Sequence, residues 1–246
     1  MLYIHPITII YIILGISANH FNSLLYLYSI ALIHELSHIF CAKIFKLKLK
    51  EIVLYPTGFK AEIKDFANAK AHVQILIILA GPLSYYITFL IANILFKMNL
   101  ISQFGLRTIN EYNLVILLFN LLPIYPLDGG KLIDIALANF FDEKVTRIIR
   151  IVVSFIFLIV FMFALHTLGD ILMFIMVLIS LISSTIKWKK DYFTFLILRK
   201  YEINKYKDKV NDRPCIYRYK KNWYLKDSII YNESQIIDVL LKSKKR

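Results

Sequence analysis

Apolar residues along the chain fall into long, nearly charge-free blocks joined by short polar links. Six blocks stand out as helices of membrane-crossing character, at residues 3–19, 21–45, 71–97, 112–130, 148–167 and 169–187. A hydrocarbon core of about 30 Å takes about 20 apolar residues in a helix, and the first block is short for that. The links around Asn19–Asn22 and His166–Asp170 are so brief that the first two and the last two blocks pair as helical hairpins. Between the second and third blocks the pattern changes. Leu47–Tyr55 alternates imperfectly, Pro56-Thr57-Gly58 makes a turn, and Phe59–Lys64 alternates again, which predicts two short strands; a surface loop is the alternative. From Asp191 onward the pattern is that of a soluble segment, with strands expected at Cys215–Tyr219 and Trp223–Leu225 and a helix at Ser234–Leu241. The expected architecture is an all-α polytopic membrane protein. Residues 1–190 form a six-helix transmembrane domain with a β-hairpin after its second helix, and residues 191–246 form a basic cytoplasmic tail or small α+β domain.

Composition agrees with the membrane class. The chain is 58% hydrophobic with mean hydropathy +0.60, against about 45–50% apolar in ordinary soluble domains. The net charge of +13 lies mostly between Lys187 and Arg246. Beside membrane spans this is the positive-inside bias with attraction to anionic lipid added, so no nucleic-acid partner is expected. Lysines and arginines also crowd residues 43–70 and 131–150, whereas the remaining links are poor in charge. Both termini and these two loops therefore face the cytoplasm of a multi-pass cell-membrane protein. The first block lacks a basic leader and a cleavage site and is expected to be retained. Cys41 and Cys215 suggest no disulfide framework.

One block carries chemistry. The second contains His34-Glu35-Leu36-Ser37-His38, an HExxH pattern in an apolar setting. On a helix, positions four apart share a face, so both imidazoles can reach one zinc ion while Glu35 lies beside it as a base for water. Ionisable residues at membrane depth are costly and functional by default; a hydrogen-bonded patch joining helices is the alternative. A catalytic zinc needs a third protein ligand. The fourth block ends Asn120-Leu-Leu-Pro123-Ile-Tyr-Pro126-Leu-Asp128-Gly129-Gly130, where prolines break the helix and glycines relax it. Irregular backbone at membrane depth belongs where it is buried or lines a wet cavity, which makes Asp128 a candidate ligand. An ordinary helix-ending turn is the alternative. At about 1.5 Å per residue, His34 and Asp128 differ in depth by roughly 5 Å.

HELSH in one block, Ala80-Gly81-Pro82 in the next and NLLPIYPLDGG after it resemble the site-2 protease family of intramembrane metalloproteases. The nearer resemblance is to the branch containing the stage IV sporulation protease FB, and it covers roughly residues 1–190 in order and spacing. The resemblance implies that His34, His38 and Asp128 are zinc ligands and Glu35 the general base. It further implies that Asn120, with Pro123 and Pro126 of the same run, binds substrate, and that the strands after the second block pair with an extended substrate. The expected activity is that of a zinc-dependent endopeptidase cleaving a membrane-tethered protein, such as the precursor of a sporulation transcription factor, under inhibitory or regulatory membrane proteins. A metal transporter or sensor without proteolysis is the alternative; Glu35, a non-ligating base, has no task in it, and the internal repeats expected of a transporter are not seen. The sporulation branch typically carries a C-terminal nucleotide-binding domain of cystathionine-β-synthase type. The segment after Asp191 is short for one and holds no phosphate-cradling motif.

Overall fold

The computed structural model describes all residues except 1, 5, 18, 19, 56, 57, 65, 164–167, 201–205, 207, 227, 228 and 243–246, and describes the backbone alone at 2, 7, 68, 168–173 and 176. The chain divides into two compact units, Met1–Leu122 and Pro123–Arg246.

The first unit opens on a strand. β1 (Leu2–Ile4) precedes α1 (Pro6–Ser17), whose first residue is a proline with φ preset for a helix and no N–H to leave unpaired. The 12 residues of α1 rise about 18 Å, so the first apolar block is a strand followed by a short helix and not one continuous span. β1 pairs in parallel with β2 (Leu49–Tyr55), Tyr3 opposite Val53. The fully buried Thr8 donates its hydroxyl to the Leu54 carbonyl at 2.9 Å, tying the start of α1 to β2. β2 pairs antiparallel with β3 (Gly58–Ile63), as the alternating pattern predicts. Gly58 has φ +128°, a conformation that favours glycine, and its α-carbon packs close to Ala31.

Three helices complete this unit: α2 (Phe21–Ile44), α3 (Ala71–Lys97) and α4 (Gln103–Asn120). The inward face of α2 carries Leu24, Ile30, Ala31, His34, His38 and Ala42, so the buried stripe is the one that bears the histidines. The inward face of α3 carries Gly81, Ser84, Thr88 and Ala92, small residues that let helices approach closely in a membrane. α4 starts earlier than the apolar block at 112–130 suggests, because Ser102 caps it by accepting from the Gly105 N–H at 3.1 Å. It stops at Asn120, short of Pro123.

In the second unit, residues 123–127 form an irregular turn that includes a cis peptide bond between Tyr125 and Pro126. α5 (Asp128–Phe140) and α6 (Glu143–Met162) follow, then α7 (Leu168–Lys200). The stretch 131–150, expected as a loop, is thus mostly helix. Asp142 caps α6 through the Val145 N–H at 3.0 Å. α7 continues unbroken past residue 191. Beyond it, β4 (Asp208–Asn211), β5 (Lys221–Lys226) and β6 (Ile229–Tyr231) form a three-stranded sheet in that order, and α8 (Glu233–Lys242) packs against it. Its core unites Tyr192, Phe195 and Leu196 of α7 with Ile216, Ile236 and Ile237. The expected strand at Trp223–Leu225 lies inside β5 and the expected helix is α8. Cys215–Tyr219 is a loop and not a strand, because its polar groups are held by side chains: Asn222, wholly buried, accepts from the Tyr217 N–H and donates to the Tyr217 carbonyl. Both cysteines are free.

Among the described residues, α2, α3 and α6 are long and apolar enough to cross a membrane. The link expected at His166–Asp170 lies largely outside the described residues.

Candidate metal centre

His34 and His38 lie one turn apart on the buried face of α2, exposed by only 7% and 6%. The Nδ1 of His38 lies 2.7 Å from the Ile77 carbonyl oxygen on α3. A carbonyl has no proton to give, so Nδ1 is the donor, and Nε2 is left with the lone pair a metal needs.

The two Nε2 atoms stand 3.2 Å apart with the rings near perpendicular, at 82°. Two nitrogens each about 2.0–2.1 Å from one tetrahedral zinc would be separated by about 3.3 Å. The space between them is kept open by Gly81. A methyl group on its α-carbon would sit 2.2 Å from His38 Nε2 and 2.7 Å from His34 Nε2. The position that the missing side chain vacates is therefore near coordination distance of both rings, and the residues present fit a metal ion.

Glu35, half-buried and next to His34 in sequence, accepts at its Oε1 from the Ala61 N–H of β3, which fixes its carboxylate. β3 is the edge of its sheet, so its outer N–H groups are available to a partner other than β2.

In the second unit, Asp128 is the first residue of α5 and 2% exposed. It begins a helix where an ordinary terminating turn was the alternative expectation, and a carboxylate is favoured there by the helix dipole. Lys131, one turn on, donates to Asp128 Oδ1 at 2.9 Å. The preceding turn folds back tightly on α5: a side chain at Gly130 would lie 2.4 Å from the Ile124 carbonyl carbon and the Tyr125 nitrogen. His34 and His38 in the first unit and Asp128 in the second are each buried and each of a ligating type. The remaining sequence candidates are less engaged. Asn120 ends α4 and spends its amide on the Ile116 carbonyl at 2.9 Å. Pro123 and Pro126 are half-buried in the turn.

The chain is 38% identical over 132 residues to stage IV sporulation protein FB of Bacillus subtilis, a match that takes in 54% of this chain and 46% of that one. It is 30% identical over 184 residues to a zinc metalloprotease of Methanocaldococcus jannaschii, covering 71% of this chain and 53% of the relative. The solved site-2 protease of M. jannaschii superposes with a TM-score of 0.53 at 24% identity, over 73% of this chain and 84% of that one. This chain is a relative of the site-2 proteases. No family model matches it. It spans about half the length of the curated relatives it matches. Within each unit the structure gives the HELSH, AGP and PLDGG segments a local geometry: two close buried imidazoles in HELSH, a glycine beside them in AGP, and a carboxylate at a helix start in PLDGG. Two contacts were not anticipated from the residues, the Ala61 donor on Glu35 and the Ile77 acceptor for His38, since backbone groups leave no mark in a sequence.

Proposed function

We propose that the chain is a zinc-dependent endopeptidase that cuts membrane-associated protein substrates, with His34, His38 and Asp128 as ligands and Glu35 as general base. The single observation that carries this reading is the pair of buried imidazoles held 3.2 Å apart across the vacated side-chain position of Gly81. Zinc bound there would polarise the scissile carbonyl and bring the pKa of the attacking water toward about 7. His38 keeps its metal-facing nitrogen free by donating its other proton to Ile77. Glu35 takes the proton of the attacking water and passes it to the leaving amine, its carboxylate oriented by Ala61. Asn120, Pro123 and Pro126 line the substrate at the end of α4 and in the following turn. The substrate enters as an extended segment along the edge strand β3, which exposes carbonyls a helical substrate would hide.

The chain is a multi-pass protein of the cell membrane with both termini in the cytoplasm, and its basic segment beyond α7 meets anionic lipid. Its substrate class is a membrane-tethered precursor, and the sporulation relative favours a transcription factor of that programme. The deciding experiment reconstitutes the chain with a tethered substrate and compares Glu35→Gln with the parent. The expected result is full zinc content with cleavage reduced by a factor on the order of 1,000 or more. Undiminished cleavage by Glu35→Gln would exclude this mechanism, whereas zinc binding with no cleavage by the parent would favour a metal-transport or sensing role.

A further inference from the structure

We infer that the segment beyond α7 is a brace for the turn that presents Asp128, with Arg218 as its positioning residue. This rests on Asp128 being a metal ligand, as proposed above.

Arg218 lies in the loop between β4 and β5 and is 7% exposed. Its guanidinium spans two carboxylates from two different helices. Nε and Nη2 donate to Glu143 Oε2 and Oε1 at 2.7 and 3.0 Å, and Nη1 donates to Asp134 Oδ2 at 2.7 Å. Asp134 belongs to α5, less than two turns after Asp128, and Glu143 opens α6. The Glu143 N–H also donates to the Ile216 carbonyl, so backbone as well as side chain joins the loop to α6. Arg147 donates to Glu143 as well, and Arg150 takes the other oxygen of Asp134 at 3.1 Å. Two buried carboxylates thus face three buried guanidinia. The surplus cation has an aromatic counterpart, because Arg150 lies over the Tyr125 ring at 3.9 Å from its centroid. Tyr125 sits between Pro123 and Pro126, three residues before Asp128, and its N–H donates to Ser154 one turn beyond Arg150. An unbroken path of contacts therefore joins Arg218 to the turn: Arg218, Asp134, Arg150, Tyr125.

The loop that offers Arg218 is itself rigid. Arg199 at the end of α7 donates to the carbonyls of Arg218 and Lys220 and to Glu233 at the start of α8. Asn222 closes the same loop on Tyr217 and Glu233. A floating surface tail would need none of this. A planar fork that satisfies two carboxylates is a task an ammonium group cannot perform, so the side chain matters as well as its charge. A buried network of this kind holds a single arrangement, and here the arrangement includes the residues that set where Asp128 points.

The test uses the full chain in detergent, with zinc affinity read by competition against a chromophoric chelator and the cobalt(II)-substituted protein read by visible absorption. Arg218→Lys keeps the charge but loses the fork; it is expected to bind zinc about tenfold more weakly, the usual effect of losing an outer support of a metal site, with shifted cobalt bands. Arg218→Gln is expected to do at least as much, and Lys221→Ala, in the same segment but exposed, to change neither readout. Tyr125→Leu is expected to weaken zinc too, and combining it with Arg218→Lys to add less than the two separate effects. If Arg218→Gln fails to fold by circular dichroism, the Arg218→Lys and Tyr125→Leu pair decides alone. Wild-type affinity and cobalt spectrum in Arg218→Lys, or full additivity with Tyr125→Leu, would overturn the brace. Asp128→Asn separates the two levels. If it leaves zinc affinity unchanged, the proposed metal site fails; if it abolishes binding while Arg218→Lys does not weaken it, only the brace fails.

Discussion

At the scale of single residues, Gly81 is where geometry overrules helix propensity. Glycine inside a helix is worse than alanine by roughly 0.5–1 kcal/mol, so Gly81→Ala would stabilise α3 anywhere else. Here the added methyl would meet His38 at 2.2–2.3 Å and His34 at 2.7 Å, in the space the metal needs. Gly81→Ala is expected to keep its helical circular dichroism and lose its zinc, with metal per chain falling by tenfold or more; a variant that retains stoichiometric zinc would refute the cradle. Glu35, His34 and His38 could be found by spacing alone, because two ligands and a base on one helix are a local pattern. The reason for glycine at 81 could not, since the constraint is the distance to another helix.

At the scale of elements, the hairpin acts on the site through its edge. The Ala61 N–H points to Glu35 and not to β2, so a proline at this position would remove that donor without breaking the ladder, and prolines are tolerated on edge strands. Ala61→Pro is expected to leave zinc content intact and to lower cleavage by about 10–100-fold, as loss of a supporting contact at a metal site does. Equal cleavage rates for the two proteins would show that Glu35 needs no such support. The hairpin was legible because alternation over Leu47–Tyr55 and Phe59–Lys64 is a period-two signal. β1 was not: three residues between the chain start and Pro6 carry no period, and its partner lies some fifty residues away. The fourth apolar block misled for a related reason. Its hydropathy runs on through residues 121–127, but Pro123 and Pro126 end one helix and allow another to begin at Asp128, so one apparent span is a helix, a turn and the start of α5. The strand expected at Cys215–Tyr219 failed because Asn222 and Arg199 satisfy that segment's backbone from a distance.

At the scale of the whole molecule, the positive charge has two uses that a count cannot separate. Lys46, Lys48, Lys187, Lys189 and Lys221 are on the surface or half-exposed, whereas Arg147, Arg150, Arg199 and Arg218 are nine-tenths or more buried. The lysines are solvent-facing. The arginines are structural, matched to Asp134, Glu143 and Glu233. Removing one partner of such a buried pair costs about 3–5 kcal/mol, since the other charge is stranded, and this gives the segment beyond α7 a pH dependence with a definite sign. Burial alone would raise the Asp134 carboxyl, but Arg218 and then Arg150 outweigh it and hold its pKa below the ordinary value. A depressed folded-state pKa contributes stability above the unfolded value, about 3.9 for Asp, and loses it as pH falls toward the folded one. Limited proteolysis of the full chain, with a protease active at each pH, should therefore find the segment equally protected at about pH 5 and 8, with cutting inside β5 and α8 appearing only below about pH 4. Asp134→Asn should allow cutting already at neutral pH, because it leaves Arg150 without a carboxylate and Arg218 with Glu143 alone. Protection lost between pH 5 and 8 in the parent chain would assign the docking to other groups.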